Sequence, residues 1–136
     1  MKTYAPDKNG KREIKESEYI DMKMGLEMVA GKRELYKNLL VRFAKSGYKR
    51  ELMGAWQHRD KTQLRRQAHM LRGIAGGLAL TDLYAQSKGF EEKLRRGALT
   101  NSCFYNLLLS LENTLICIEN IDIIEERQKP WINQQY

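Results

Sequence analysis

Residues 60–78, DKTQLRRQAHMLRGIAGGL, carry the clearest helical pattern in the chain. Their apolar side chains recur at spacings of four, three, four and three residues, which places them on one face of an α-helix. These side chains are Leu64, Ala68, Leu71, Ala75 and Leu78. Asp60 followed by Gln63 resembles a capping pair, so we expect the helix to begin there. The stretch therefore predicts a long amphipathic helix that buries one face.

The same helical periodicity extends over most of the chain, and no stretch alternates as a strand would. A second stretch repeats the spacing of four, three, four and three: Phe104, Leu108, Leu111, Leu115 and Ile118. Shorter helical patterns cover residues 19–29, ending at Gly31; 32–56, with a bend at Gly47; and 83–94, stopping near Gly97. Links of a few residues favour antiparallel neighbours. We therefore predict an all-α fold, an antiparallel up-and-down four-helix bundle with a short extra N-terminal helix.

The bundle is expected to span residues 18–127, because periodicity is lost on either side. Residues 1–17 are interpreted as a polar leader or linker, and residues 128–136 as a C-terminal tail. The length of 136 residues fits one domain, and a hydrophobic content of 42% with 30% charged residues can support a core. The chain shows neither a transmembrane run of about 18 apolar residues nor a secretory signal.

The two cysteines indicate a reducing compartment. Cys103 and Cys117 lie on the same predicted helix, about 20 Å apart at a rise of ~1.5 Å per residue. A disulfide needs Cα atoms within about 7 Å, so the two cannot bridge each other. We interpret them as buried core thiols, which predicts a cytoplasmic protein.

The flank of the helix at 60–78 concentrates groups that suit an anion. His69 lies about 100° of helical rotation from Ala68, away from the buried face. Five residues share the helix face of His69: the arginines Arg65, Arg66 and Arg72, and the glycines Gly73 and Gly76, which have no side chain. A glycine inside a helix costs about 1 kcal/mol relative to Ala, so three within five residues need a reason. They either let another helix approach closely or leave a flat area around His69; the arginines favour the second interpretation, because guanidinium groups stabilise phosphate oxygens.

These residues resemble a known family. The run Ala68-His69-Met70-Leu71-Arg72-Gly73, with Leu83 and Phe90-Glu91 downstream, is similar to the histidine-containing phosphotransfer (HPt) domain of bacterial multistep phosphorelays. That family has an Ala-His pair, then a Leu, a Lys or Arg, and a Gly at two, three and four residues after the histidine. The resemblance covers residues 19–121. It departs from the family at Ala79 and Leu80, where Gly-Ala is common, and at Arg72, where Lys is more frequent.

The resemblance implies a phosphorelay intermediate. It implies that His69 is the phosphoacceptor, that Arg72 stabilises the phosphoryl group, and that Gly73 gives a partner clearance. With the residues on the same helix face, the expected docking residues are Arg65, Arg66, Gly73, Gly76 and Glu91. The partners would be receiver domains of a hybrid sensor kinase and of a response regulator, whose aspartates give and take the phosphoryl group. The chain has no Gly-rich phosphate loop and no metal-ligand spacing, so we expect no kinase activity of its own and no cofactor. Any Mg²⁺ would belong to the receiver domain, and we expect no membrane contact.

The net charge leaves two other functions open. A formal charge of +7 also suits a basic helical domain that binds nucleic acid. A bundle that sequesters a partner without phosphotransfer is a further alternative. The chain lacks a helix-turn-helix pattern, and glycines read base edges poorly, so nucleic acid is not the expected partner. The location of the positive charge distinguishes phosphotransfer from nucleic-acid binding. A phosphotransfer surface would have its positive charge around His69, whereas a nucleic-acid surface would continue along Lys45, Lys49 and Arg50.

His58, the methionines and the acidic residues near the C-terminal end have structural interpretations. His58 lies in a predicted turn, where we expect a surface or capping role. The methionines at 22, 24 and 28 are expected to fill gaps in the core. The acidic residues near the C-terminal end are interpreted as a solvated face: Glu119, Asp122, Glu125 and Glu126.

Overall fold

The structure is a computed structural model that describes residues 14–127. The helices are α1 (Glu16–Tyr19), α2 (Met22–Met28), α3 (Arg33–Ala44), α4 (Tyr48–Gln57), α5 (Lys61–Leu78), α6 (Thr81–Arg95) and α7 (Asn101–Glu119). Residues 121–127 are helical as well, and no strand occurs between residues 14 and 127. The predicted all-α class is confirmed for this range. Most of the predicted leader and the whole predicted tail, 128–136, lie outside the described residues.

The helices form a packed bundle around one core. Helix α5 packs against α4 and α6, and α7 packs against α3, α4 and α6. Every helix from α2 to α7 contributes at least one buried side chain. The predicted apolar line of α5 is buried at Leu64, Ala68, Leu71 and Ala75, and Leu78 packs partly buried against the same core. The helical periodicity therefore identified the core face of α5.

The N-terminal segment differs from the single helix predicted over 19–29. Helix α1 ends at Tyr19, and α2 begins at Met22 after two extended residues. Asp21 explains the interruption, because its carboxylate accepts a hydrogen bond from the backbone N–H of Met24 at 3.0 Å. A side chain that caps a helix start requires a non-helical backbone at its own position. Asp21 therefore begins a second helix, α2, at a point where the apolar pattern alone predicts one continuous helix.

The predicted bend at Gly47 is a complete break. Helix α3 ends at Ala44, α4 begins at Tyr48, and Gly47 has a φ of 77°. This left-handed backbone favours glycine, since any side chain would be strained there. The capping predicted at Asp60 is confirmed: its side chain accepts from the Gln63 backbone N–H at 3.1 Å, and α5 begins at the next residue.

A non-glycine residue ends α5. Ala79 has a φ of 58°, in the left-handed region, and its backbone N–H donates to the carbonyl of Ala75. For a residue with a Cβ, this conformation costs about 1 kcal/mol. The sharp turn allows α6 to begin at Thr81 and to pack along α5. This packing brings the middle of α6 next to the middle of α5.

The acidic C-terminal residues are not all solvated, contrary to the expectation. Glu125 is buried, with only 7% of its surface exposed. Its carboxylate accepts from Arg33 Nε at 2.7 Å and lies 2.8 Å from Lys37 Nζ. Burial raises the pKa of Glu125, but the hydrogen bonds from Lys37 and Arg33 outweigh this effect and hold the pKa below its usual range. Glu125 therefore anchors residues 121–127 to α3.

Both cysteines are free thiols. Cys117 is buried, which confirms the prediction, and burial raises the pKa of its thiol to about 12. Cys103 is only partly buried because it lies in the first turn of α7, and the hydroxyl of Thr100 donates to its Sγ at 3.1 Å. That hydrogen bond lowers the pKa of the Cys103 thiol. None of the described helices combines the length and the apolar character needed to cross a membrane.

Candidate functional site

His69 is exposed on the edge of α5 that faces α6. The buried neighbours Ala68 and Leu71 fix the orientation of the helix, and 65% of the His69 side chain stays accessible. Across the groove, Glu91 of α6 places its Oε2 atom 3.0 Å from His69 Nδ1. The imidazole is thus held at one nitrogen and open to solvent elsewhere, as the sequence predicted for its exposure.

The contacts of Nδ1 define the tautomer of His69. Nδ1 lies 3.0 Å from Glu91 Oε2 and 3.4 Å from Arg72 Nη2. An ionised carboxylate only accepts hydrogen bonds, so Nδ1 must carry the proton that it donates to Glu91. A protonated Nδ1 cannot also accept from Arg72, and the longer distance is therefore a close approach and not a second hydrogen bond. In the neutral ring the lone pair then belongs to Nε2, which makes no hydrogen bond with any described residue.

Arg72 lies one turn beyond His69 and is loosely held by the same carboxylate. Its Nη1 is 3.3 Å from Glu91 Oε1, within ion-pair distance. Oε1 is nevertheless buried and accepts no hydrogen bond among the described atoms, because the alignment of this pair is poor. Arg72 therefore keeps donors that an incoming anion at His69 can use.

The glycines beside His69 differ in their surroundings. A Cβ added at Gly73 or Gly77 would meet no atom within 4 Å, whereas one added at Gly76 would lie 3.5 Å from the Tyr84 ring. Close approach of another helix therefore does not explain Gly73 and Gly77 within the described residues. It does apply to Gly76, which lines a groove between α2, α5 and α6. Gly73, one turn beyond His69, therefore leaves an uncovered position next to the exposed imidazole, and Gly77 leaves a second one two turns along α5.

The predicted docking residues divide into two groups. The structure brings Glu91 to His69 and Arg72, with only 18% of the Glu91 side chain exposed. It leaves Arg65 and Arg66 exposed on the preceding turns of α5, without an ion pair to any described residue. These two arginines add positive charge to the rim of the site and do not touch the imidazole.

The contact between Glu91 and His69 was not found from the sequence. The sequence analysis listed Glu91 only among the residues on which a partner docks, and not as a hydrogen-bond partner of His69. Phe90 is buried against the core, so Glu91 lies about 100° further round α6. This local signal puts Glu91 beside the core face of α6, but it does not say which residue of α5 lies opposite. The separation of 22 residues makes the pair a tertiary contact.

The second histidine has a different environment. His58 is exposed, and its Nδ1 lies 2.8 Å from the carbonyl oxygen of Gly54, which agrees with the expected surface role. The neighbouring Arg59 stacks its guanidinium 4.3 Å from the centre of the Trp56 ring. No group of three metal-ligating side chains occurs among residues 14–127. His69 is therefore the histidine with both a carboxylate and a guanidinium at its ring.

Comparison with known proteins adds no relative: no family model, curated protein or solved structure matches this chain. The fold and the site define an all-helical bundle that presents one oriented, exposed histidine. Its chemistry follows from His69, Glu91, Arg72 and the open glycine positions.

Proposed function

We propose that this chain is a phosphorelay intermediate of the histidine-containing phosphotransfer type. His69 accepts a phosphoryl group from the aspartate of a receiver domain and passes it to the aspartate of a second receiver. The observation that carries the proposal is the exposed imidazole whose Nδ1 is held by Glu91, with Arg72 Nη2 3.4 Å from the same nitrogen and with Nε2 free of any hydrogen bond to a described residue. The donor receiver belongs to a hybrid sensor kinase and the acceptor to a response regulator, both in the cytoplasm.

The chemistry needs only groups that the two proteins supply. The lone pair of His69 Nε2 attacks the phosphorus of the aspartyl phosphate, so an N–P bond forms. The P–O bond to the aspartate breaks, and its electron pair leaves with the carboxylate. Positive charge develops on the ring, where the Glu91 carboxylate stabilises it through Nδ1–H. Arg72 donates to the phosphoryl oxygens. Transfer to the second receiver reverses the same bonds. Any Mg²⁺ would be held by the acidic pocket of the receiver, where it would neutralise charge on the phosphoryl oxygens.

The open glycine positions support docking at His69. Gly73 and Gly77 each cost the helix about 1 kcal/mol, and no described contact compensates for this cost. A flat surface lets the rim of a receiver's acidic pocket reach Nε2 without a steric barrier. The exposed arginines at 65 and 66 complement the negative charge of such a pocket.

The finer architecture belongs to the same proposal. Helices α3 and α4 act as one helix interrupted at Gly47, and with α5, α6 and α7 they form an antiparallel up-and-down four-helix bundle. Helices α1 and α2 are the short N-terminal addition. The links over 58–60, 79–80 and 96–100 support this arrangement, because such short connections join antiparallel neighbours.

The distribution of positive charge does not separate phosphotransfer from nucleic-acid binding. Lys49 lies 2.8 Å from Glu112, but Lys45 and Arg50 are exposed and have no acidic partner among the described residues. Arg65 and Arg66, on the turns of α5 before His69, likewise have no acidic partner among the described residues. The geometry at His69 therefore carries the proposal, and the net charge does not.

The direct test is phosphoryl transfer from a panel of receiver domains labelled at their aspartates with ³²P. The expected result is a labelled chain whose phosphate is labile in acid and stable in base. The variant His69→Gln should lose all labelling with an unchanged circular dichroism spectrum, and the matched control His58→Gln should label normally. Labelling that survives His69→Gln and disappears in His58→Gln would refute the proposal.

The role of Glu91 has a separate readout in the tautomer of His69. Nitrogen NMR of the imidazole should show the Nδ1–H form in the wild type. The variant Glu91→Ala removes the acceptor, so the ring should shift towards the Nε2–H form, with transfer slowed about tenfold. Glu91→Gln keeps an acceptor oxygen and should preserve the Nδ1–H form. A wild-type ring that is mainly Nε2–H would contradict this orientation.

A further inference from the structure

A cavity of about 290 Å³ opens at one end of the bundle, where α4 and α6 end and where α5 and α7 begin. This volume is close to the lower limit of about 300 Å³ for sites that hold small molecules. Its apolar lining comes from Trp56, Leu64, Leu94 and Leu99, and Arg59 and Lys61 also line it. One cavity thus combines an apolar wall with two cations.

The two cations are not neutralised within the described structure. Arg59 and Lys61 are exposed, and neither forms an ion pair with a described residue. No acidic side chain from residues 14–127 lines the cavity. Asp60 lies between them in the sequence, but its carboxylate accepts from the backbone N–H of Gln63 at 3.1 Å and lines a different groove. The cavity therefore has a positive potential that suits an anion.

Arg59 occupies a position that favours glycine. Its φ is 51°, and the backbone N–H of Asp60 donates to the carbonyl of Ala55 at 3.0 Å, which closes the end of α4. A side chain in this left-handed conformation costs about 1 kcal/mol. The guanidinium is held in place, since its Nη1 donates to the Trp56 carbonyl at 2.9 Å and it lies 4.3 Å from the centre of the Trp56 ring. Among the described residues this uses one of its five N–H donors, so the others are available to a ligand.

The apolar wall is part of the core and so exists before any ligand binds. Leu64 is buried, and Leu94 and Leu99 are partly buried against the core. Trp56 stacks on Phe104, with the ring centres 4.3 Å apart. A preformed surface of this kind binds an apolar group without the cost of ordering loose side chains.

We propose that this cavity binds a small anion with an apolar body of about the size of one aromatic ring. The apolar body packs against the leucines and Trp56, and the anionic group accepts hydrogen bonds from Arg59 and Lys61. A guanidinium can donate two parallel hydrogen bonds to a carboxylate or to a phosphate, so both head groups fit the same chemistry.

The cavity is separate from the site at His69. Leu64 and Lys61 precede His69 by five and eight residues, which is about 8 and 12 Å along α5 at ~1.5 Å per residue. Neither Arg72 nor Glu91 lines the cavity. Binding at this end of the bundle is therefore a property of the chain that does not depend on phosphoryl transfer.

Titration of the ¹⁵N-labelled full chain with phenylacetate and with phenyl phosphate, followed by amide NMR shifts, tests the proposal directly. The two probes share an aromatic ring and differ in the anionic group, so their affinities identify the preferred head group. The expected result is saturable shifts at Trp56, Leu64 and Leu99 with a dissociation constant below about 1 mM for at least one probe. Neutral phenylacetamide should bind at least about tenfold more weakly, because it lacks the charge that Arg59 and Lys61 bind.

The variant Arg59→Gly removes the cation without threatening the fold, since glycine favours the positive φ at this position. Its thermal unfolding should not fall below that of the wild type, whereas its dissociation constant for the anionic probes should rise at least about tenfold. Lys45→Gln is the matched control: Lys45 is exposed, has no ion-pair partner among the described residues and does not line the cavity. This control should bind both probes as the wild type does.

Three results would overturn the proposal. The first is the absence of saturable shifts at the cavity residues with either anionic probe up to about 10 mM. The second is binding of phenylacetamide as tight as that of the anions, and the third is an equal loss of affinity in Arg59→Gly and Lys45→Gln. All of these readouts are binding shifts, so they are independent of phosphoryl transfer to His69.

Discussion

Replacing Gly73 by Gln separates the stability of the bundle from access to His69. Gly73 lies one turn beyond His69 on α5, and an added Cβ there meets no atom within 4 Å. Gly89 on α6 has equally open surroundings, but it precedes Glu91 by two residues and so lies on the other side of that helix. Gly89→Gln is therefore a matched control with the same local change away from the site.

The expected effects on stability are equal. Both glycines lie inside helices, and glutamine is a better helix former by about 0.5–1 kcal/mol. Nothing in the described structure must move to accommodate either side chain. Each variant should therefore unfold about 2–5 °C above the wild type for a domain of this size, as measured by thermal denaturation.

The expected effects on transfer differ. A glutamine at position 73 projects into the surface that a receiver must cover to reach His69. An overpacked contact costs about 1–3 kcal/mol, which corresponds to an affinity for the receiver lower by about 5- to 150-fold. Titration of a receiver followed by rapid-mixing transfer should show this loss in both directions for Gly73→Gln and none for Gly89→Gln. Normal affinity and normal transfer in Gly73→Gln would refute docking at this surface.

Four further changes have defined outcomes. Arg72→Ala should leave receiver affinity within about twofold but slow transfer about 10-fold or more, as charged hydrogen bonds are worth about 1.5–3 kcal/mol; rapid mixing measures both. Ala79→Gly should raise the free energy of unfolding by about 1 kcal/mol in urea, by relieving the positive φ. Gly25→Ala should lower it by about 1–3 kcal/mol, because the added Cβ overlaps the buried Tyr36 ring. The pKa of Glu125 is lower in the folded state than in the unfolded state, so its ion pairs should stabilise the fold fully above the unfolded pKa near 4.5. This stabilisation should be lost as the pH falls through the folded-state pKa. Chemical unfolding of Glu125→Gln at a series of pH values should therefore show a free energy of unfolding that depends less on acid than in the wild type.

The sequence alone determined the features that depend on short-range geometry. The periodic apolar residues of α5 gave its buried side, since side chains three and four residues apart share a face. In α7 the pattern was right for Phe104, Leu111 and Ile118, but Leu108 and Leu115 are only partly buried, and Leu107 and Thr114 are fully buried in their place. The exposure of His69 followed from its angle to the buried Ala68. The capping by Asp60 and the break at Gly47 were also local, because they depend on a backbone N–H three residues away and on one φ angle.

Tertiary structure decided the contacts between residues distant in the sequence. Glu91 meets His69 because the left-handed turn at Ala79 folds α6 back along α5 with a fixed register. Glu125 is buried because α3 brings two cations to it from about 90 residues away. Helical periodicity gives the direction in which a side chain points but not the partner opposite it, and a shift of one residue between α5 and α6 would rotate Glu91 about 100° away from the imidazole. The oriented ring of His69, with Nδ1 held and Nε2 free, is therefore a property of the packed helices.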